Sequence, residues 1–219
     1  MPTPVKPLIL HAHEIRRLLA HGSVLVLRPV KPQPQPEYRL WGPVFDGYAA
    51  WTDHPIQGEK GHIIEMRCPL GTPGTKNWVR ETWRRSLPAM PNGLEYRADG
   101  LLRWFDGSDT VAEYASVTIP RDGRWRSPAT MPRWASRCDV TVRDVRVVRI
   151  WSLQYDDNLT QGFDWRDEDG PCQWFMDDWD TRYGKQYPYA DRPWAWAVTV
   201  KRTPDSPAKE DIDGMHRTS

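Results

Sequence analysis

The sequence predicts an α+β fold, a mixed β-barrel with a few short peripheral helices and long insertions. Short runs of alternating apolar and polar residues recur along the chain, whereas few segments show helical periodicity. The order of these segments does not alternate strand and helix as β-α-β units would. The 219 residues include 21 prolines and 15 glycines, which interrupt the chain too often for a helical bundle.

The N-terminal part predicts a helix followed by a strand. In LILHAHEIRRLLAHG the apolar residues share one helical face over 13–20, and Gly22 follows as a C-terminal stop. The run SVLVLRPV predicts a strand over 23–30. Pro29 places that strand at a sheet edge or near a strand end, because proline has no N–H for the ladder. KPQPQPEY, over 31–38, is typical of an extended polyproline-like linker.

The middle of the chain predicts short strands separated by turns. Residues 38–67 contain YAAWT and HIIEMR, and we expect turns and short strands there. Gly71 to Gly74 predict a turn before a strand over 78–83, and LEYRAD predicts another short strand. Residues 99–124 are rich in Asp and Gly, and we expect them to leave the main fold as an insertion.

The C-terminal part predicts the longest strand and a closing strand. DVTVRDVRVVRI predicts a strand over 138–150, with a break in its apolar phase at Asp144 that indicates a bulge. DDNLTQGF predicts a short helical turn, CQWFMDDWDTRYG a short aromatic helix or turn, and PWAWAVTVKR the closing strand. We expect one domain over 6–202, with insertions at about 38–67 and 99–124 and a polar, disordered tail over 203–219.

Composition excludes few classes of function. The formal net charge is +1, with 30 basic and 29 acidic residues, so partners depend on local patches. Neither a membrane-spanning apolar run nor the apolar core of a signal peptide is present, and we expect a cytoplasmic protein.

Cys68, Cys138 and Cys172 fit no disulfide framework or metal knuckle. We expect neither a metal nor a cofactor, and the acidic runs DWRDEDG and MDDWD fit solvated loops better than a cation site.

Tryptophan and arginine alternate in several segments, and this pattern points to binding. NWVRETWRR, GRWRSPATMPRWASR and FDWRDEDG combine flat rings, on which a base can stack, with guanidinium groups that suit phosphate. The alternative remains open that the indoles fill a core and the arginine stems pack over them. In WVRETW, salt bridges within the fold explain Arg80 and Glu81 equally well.

The order of these motifs resembles the larger, phage-type ASCH-domain proteins of the PUA-like superfamily. The resemblance rests on KPLILHAHEIRRLLAHG, RPVKPQP, PGTKNWVRETW, YRADG, MPRWASR, DVTVRDVRVVRI and PWAWAVTVKR, and it covers most of 6–202. It implies a PUA-like β-barrel with a cleft between barrel and helix, and RNA or a nucleobase as ligand. Small ASCH members are amidohydrolases that remove acyl groups from N4-acylated cytidine.

The residues implied for catalysis are absent here. The family's Lys and Thr fall on Ser23 and Val24, its later Glu falls near Gln161, and only Arg28 of its basic run remains. These positions therefore lack the amine, the hydroxyl and the carboxylate that the family's reaction would use for proton transfer and nucleophilic attack. We therefore expect a non-catalytic binding protein whose former catalytic strand now serves packing.

The expected binding site follows from the resemblance and from the Trp–Arg pattern. Arg28 and Lys31 would lie near phosphate, Trp78, Trp125 or Trp134 would stack on a base, and Glu81 would meet a polar partner at the rim. Arg80, Arg133 and Arg137 would position the ligand, while Ser23 and Gln161 would line the pocket.

Two other functions stay open. The first is an amidohydrolase or ribonuclease with a relocated catalytic set, for which Lys31, His21 and Glu81 are the candidates. The second is a protein-interaction factor, such as a phage inhibitor of a host or defence protein. Phage origin would place the protein in the host cytoplasm, and the sequence leaves the oligomeric state open.

Overall fold

The computed structural model describes residues 6–53, 61–85, 93–104, 124–153 and 170–203, which form an α+β fold made mostly of strands. The described α-helices are α1 (Ala12–His21) and α2 (Gly170–Tyr183). The described strands are β1 (Lys6–Ile9), β2 (Ser23–Pro29), β3 (Arg39–Leu40), β4 (Tyr48–Thr52), β5 (Ile63–Arg67), β6 (Lys76–Arg80), β7 (Trp83–Arg85), β8 (Gly93–Tyr96), β9 (Leu102–Trp104), β10 (Asp139–Arg149) and β11 (Trp194–Arg202).

The strands lie in three sheets. The largest has the order β1-β6-β10-β11-β2, with β1 parallel to β6 and β11 antiparallel to β2. The other two are antiparallel and have the orders β3-β4-β5 and β7-β8-β9. Among the described residues each sheet keeps two outer strands, so these strands do not close into the barrel expected from the sequence.

The chain divides into two compact units. The first unit comprises Met1–Ala20, Lys76–Val140 and Arg202–Ser219. The second unit comprises His21–Thr75 and Thr141–Lys201. A cluster of buried side chains forms a core in each: Trp78, Trp83, Leu94, Tyr96, Met131 and Ala135 in the first, and Leu25, Leu27, Ile150, Phe175, Trp179, Ala195 and Ala197 in the second.

Most predicted elements within the described residues are confirmed. The helix over 13–20 is α1, and Gly22 after it has φ 72°, the left-handed conformation typical of a helix stop. The strand over 23–30 is β2, and it is an outer strand of its sheet, as its proline predicted. The predicted phase break is confirmed in β10, where Arg143 and Asp144 are both exposed between buried valines.

One predicted strand is wrong. Residues 78–83 do not form one strand, since β6 ends at Arg80 and β7 begins at Trp83. Trp78 and Trp83 belong to the same hydrophobic cluster. Side chains at an odd spacing point to opposite faces of a continuous strand, so the chain must bend between the two indoles.

Several predictions fall outside the described residues. These are the helical turn over 156–163, most of the insertion over 99–124, and the tail after residue 203. The start of that insertion is described and contains β9. Within the described residues, no helix combines the length and the apolar character needed to cross a membrane.

Candidate nucleic-acid interface

A loop between the insertion and β10 carries most of the Trp–Arg pattern in the first unit. We call residues 124–138 the arginine loop. Its start pairs with β7 through Arg126, whose backbone N–H donates to the Trp83 carbonyl at 2.8 Å. Its end is held by the Ser136 hydroxyl, which donates to the carbonyl oxygens of Val79 at 2.7 Å and Cys138 at 3.2 Å.

The middle of the arginine loop inserts into the core. Met131 and Ala135 are buried in the first unit's cluster, and Trp134, half-buried, packs against that cluster. The Tyr96 hydroxyl donates to the Ala135 carbonyl at 2.9 Å. Because both its ends and its middle are held, the loop presents its remaining side chains in a fixed arrangement.

Trp78 lies in β6 with two guanidinium groups against it. The guanidinium carbon of Arg80 lies 4.5 Å from the ring centroid and that of Arg133 5.7 Å from it. Arg80 also donates to the Ala129 carbonyl at 3.1 Å, which joins β6 to the arginine loop. Trp78 is only 6% exposed, so a base would have to displace these groups to stack on it.

Arg133 is half-buried and forms an ion pair at the base of the arginine loop. Its Nη2 lies 2.6 Å from the Asp139 carboxylate at the start of β10. Arg133 therefore neutralises a carboxylate and contacts Trp78 at the same time.

Glu81 and Arg137 form a buried ion pair. Arg137 donates from Nε and Nη2 to the two carboxylate oxygens of Glu81 at 2.7 and 2.8 Å, and from Nη1 to Asp99 at 2.7 Å. The side chains of Arg137 and Glu81 are 6% and 3% exposed. The Arg137 guanidinium also lies 4.3 Å from the Tyr96 ring centroid.

The surroundings of this pair shift the pKa of both side chains. Burial raises the pKa of the Glu81 carboxyl, against the hydrogen bonds and positive charge of Arg137, which lower it. Burial by itself lowers the pKa of Arg137, but its hydrogen bonds and charge attraction to Glu81 and Asp99 raise it above the usual value. Arg137 is therefore charged at every physiological pH, and its donors are directed at carboxylates of the fold.

Further arginine–tryptophan pairs join the start of the arginine loop to β7. Arg84 is buried, forms an ion pair with Glu95 at 2.5 Å and lies 4.3 Å from the ring centroid of the half-buried Trp125. Arg126 is exposed and lies 5.2 Å from the ring centroid of Trp83. Arg84 and Arg126 were not among the predicted site residues, although both belong to the Trp–Arg segments NWVRETWRR and GRWRSPATMPRWASR.

The exposed charge in the described part of the first unit is mainly positive. In its described part, the exposed acidic side chain is Asp99, which accepts from Arg137. The exposed basic side chains there are Lys6, Arg16, Lys76, Arg85, Arg97, Arg124, Arg126 and Arg202. Glu81, Glu95 and Asp139 are withdrawn into ion pairs, and this removes negative charge from the surface.

The second unit contains the predicted phosphate contacts and β2, the strand onto which the resemblance places the family's catalytic Lys and Thr. Arg28 is half-buried and donates to the Leu27 carbonyl at 2.7 Å, and Lys31 is exposed with its Nζ 5.6 Å from the Tyr187 ring centroid. Val24 is 1% exposed and Ser23 half-buried. Gln161 lies outside the described residues.

The candidates for a relocated catalytic set belong to different units of the fold. His21 and Lys31 are exposed in the second unit, whereas Glu81 is paired with Arg137 in the first unit. Across the described ranges, His, Cys, Asp and Glu side chains form no group of three that could hold a metal ion.

Comparison of the chain with protein-family models, with curated proteins and with solved structures gave no match.

Proposed function

We propose that this protein is a non-catalytic binding protein that recognises RNA or a nucleotide and belongs with the PUA-like ASCH proteins. The observation that carries the binding function is the excess of exposed basic side chains among the described residues of the first unit. A surface of this sign attracts the phosphates of nucleic acid and binds them with strong salt dependence. The arginine loop lies on this unit, and the fold fixes its geometry.

The burial of β2 supports the absence of catalysis. Val24, Leu25, Val26 and Leu27 are all buried, so both faces of the strand are covered by the fold. Val24 therefore occupies a packing position, and it carries no hydroxyl for a reaction. The proposed PUA-like relationship rests on the motif order in the sequence. The proposal that the protein is phage-derived and acts in the host cytoplasm rests on the same motif order.

A pair of matched double variants tests the binding function. Fluorescence anisotropy with a labelled RNA 12-mer at low salt would measure affinity for the natural protein and for Arg124→Ala/Arg126→Ala. We expect a weakening of about tenfold, because two exposed guanidinium groups leave the basic surface. The control is Arg143→Ala/Arg146→Ala, which removes two exposed arginines of β10 in the second unit. RNA affinity that is absent in the natural protein, or lost equally in both variants, would contradict the proposal.

A protein-interaction factor is the second candidate, and a different surface favours it. Large apolar side chains are exposed in and around β4 and β5 of the second unit, namely Trp41, Phe45, Tyr48 and Ile63. If this surface binds a protein, Phe45→Ser/Ile63→Ser would abolish capture of that protein while RNA affinity stays unchanged. Loss of RNA affinity in this variant would instead contradict the assignment of protein binding and RNA binding to two different surfaces.

A further inference from the structure

Three tryptophans of the first unit, Trp78, Trp83 and Trp125, have a guanidinium group over the ring. Arg80 and Arg133 lie against Trp78, Arg84 lies against Trp125, and Arg126 lies against Trp83. Trp83 is 2% exposed and its ring belongs to the core cluster. A nucleobase needs an open ring face to stack on, and a guanidinium group lies over one face of each of these three rings.

The same arrangement leaves the guanidinium group suited to phosphate. An arginine that stacks through its flat face still directs N–H donors outward in its own plane, and phosphate oxygens accept in that plane. The ring also restricts the motion of the guanidinium group, so less side-chain entropy is lost when a phosphate binds. Arg126 suits this role, since it is exposed, its guanidinium carbon lies 5.2 Å over the Trp83 ring centroid, and the backbone pairing of the loop with β7 holds it.

Exposed arginines near this position extend the donor set. Arg85 follows Trp83 by two residues in β7, and Arg124 precedes Arg126 by two in the arginine loop. In an extended chain, residues two apart share a face and lie roughly 7 Å apart. Such a spacing offers successive phosphates of one strand separate cationic partners.

We propose, building on the proposed function, that the first unit binds the phosphodiester backbone of a nucleic-acid strand and does not read its bases. The indoles act as supports that orient guanidinium groups. Affinity therefore depends on the number of phosphates and on salt, and it is indifferent to base identity and even to the presence of bases.

An abasic oligomer tests this inference with the full-length chain. Anisotropy would compare a labelled dT 12-mer with a 12-mer of the same length and charge that has only deoxyribose and phosphate. We expect dissociation constants within about twofold of each other and the same salt dependence. A base-stacking reader would lose roughly fivefold or more for every base removed, which is far outside that range.

The outcomes separate the inference from the function on which it rests. Tight binding of dT with weak binding of the abasic strand would overturn the inference and leave the nucleic-acid function standing. Absence of binding to both strands at low salt would overturn both. Arg126→Gln should weaken both strands by the same factor, whereas Arg143→Gln in the second unit should leave both unchanged. A variant Arg126→Gln that weakens dT alone would also contradict backbone binding.

Discussion

Removal of Arg137 should destabilise the first unit far more than removal of an exposed arginine. Arg137 makes three charge-assisted hydrogen bonds, two to Glu81 and one to Asp99. Its replacement by alanine leaves the Glu81 carboxylate, 3% exposed, without its charged partner. Breaking one side of a buried ion pair costs about 3–5 kcal/mol, so we expect Arg137→Ala to lower the free energy of unfolding by about 4 kcal/mol.

Urea unfolding followed by tryptophan fluorescence measures this change. Arg85→Ala is the control, since Arg85 is exposed on the same unit and its loss should change stability by about 0.5 kcal/mol or less. The double variant Glu81→Gln/Arg137→Gln should cost clearly less than the sum of its single variants, because it removes both charges together. A cost below about 1 kcal/mol for Arg137→Ala, together with lost RNA affinity, would refute the structural role and restore Arg137 as a ligand contact.

Two further predictions concern the buried thiols and β2, the strand onto which the resemblance places the family's catalytic Lys and Thr. Burial raises the pKa of Cys68 to about 11 and that of Cys138 to about 12, so above pH 9 the unfolded chain releases these protons first and folding stability falls with rising pH. Each thiol contributes at most about 1.4 kcal/mol per pH unit, and urea unfolding from pH 9 to 10.5 should show a shallower decline for Cys68→Ala/Cys138→Ala; equal slopes would contradict the burial of the thiols. The natural protein should not hydrolyse N4-acetylcytidine, and turnover in a chromatographic assay would contradict the loss of catalysis. Turnover by the variant Ser23→Lys/Val24→Thr/Gln161→Glu alone would identify the strand as a catalytic relic.

The regular elements were predictable because each depends on local pattern. The apolar face of α1 and the left-handed stop at Gly22 both follow from residues within the segment itself. The same holds for β2 and β11, whose consecutive apolar residues are buried. Only tertiary packing breaks the predicted strand over 78–83, because Trp78 and Trp83 enter one cluster.

The candidate site was predictable in residue type and less so in role. The Trp–Arg alternation identified the arginine loop, but it could not distinguish indoles open to a base from indoles covered by arginine. That distinction depends on contacts distant in sequence, such as Arg80 with Ala129 and Arg137 with Glu81. The positive surface also depends on such pairing, since it emerges only when carboxylates are withdrawn into ion pairs.

The salt dependence of RNA binding tests the central claim most directly. Anisotropy titrations of a labelled RNA 12-mer between about 50 and 200 mM salt give the slope of log K against log salt concentration. We expect a steep negative slope that becomes shallower by about 1 to 1.5 in Arg124→Ala/Arg126→Ala, since each lost phosphate contact on a single strand removes about 0.7. A slope near zero in the natural protein, or an unchanged slope in the variant, would contradict a nucleic-acid-binding surface on the first unit.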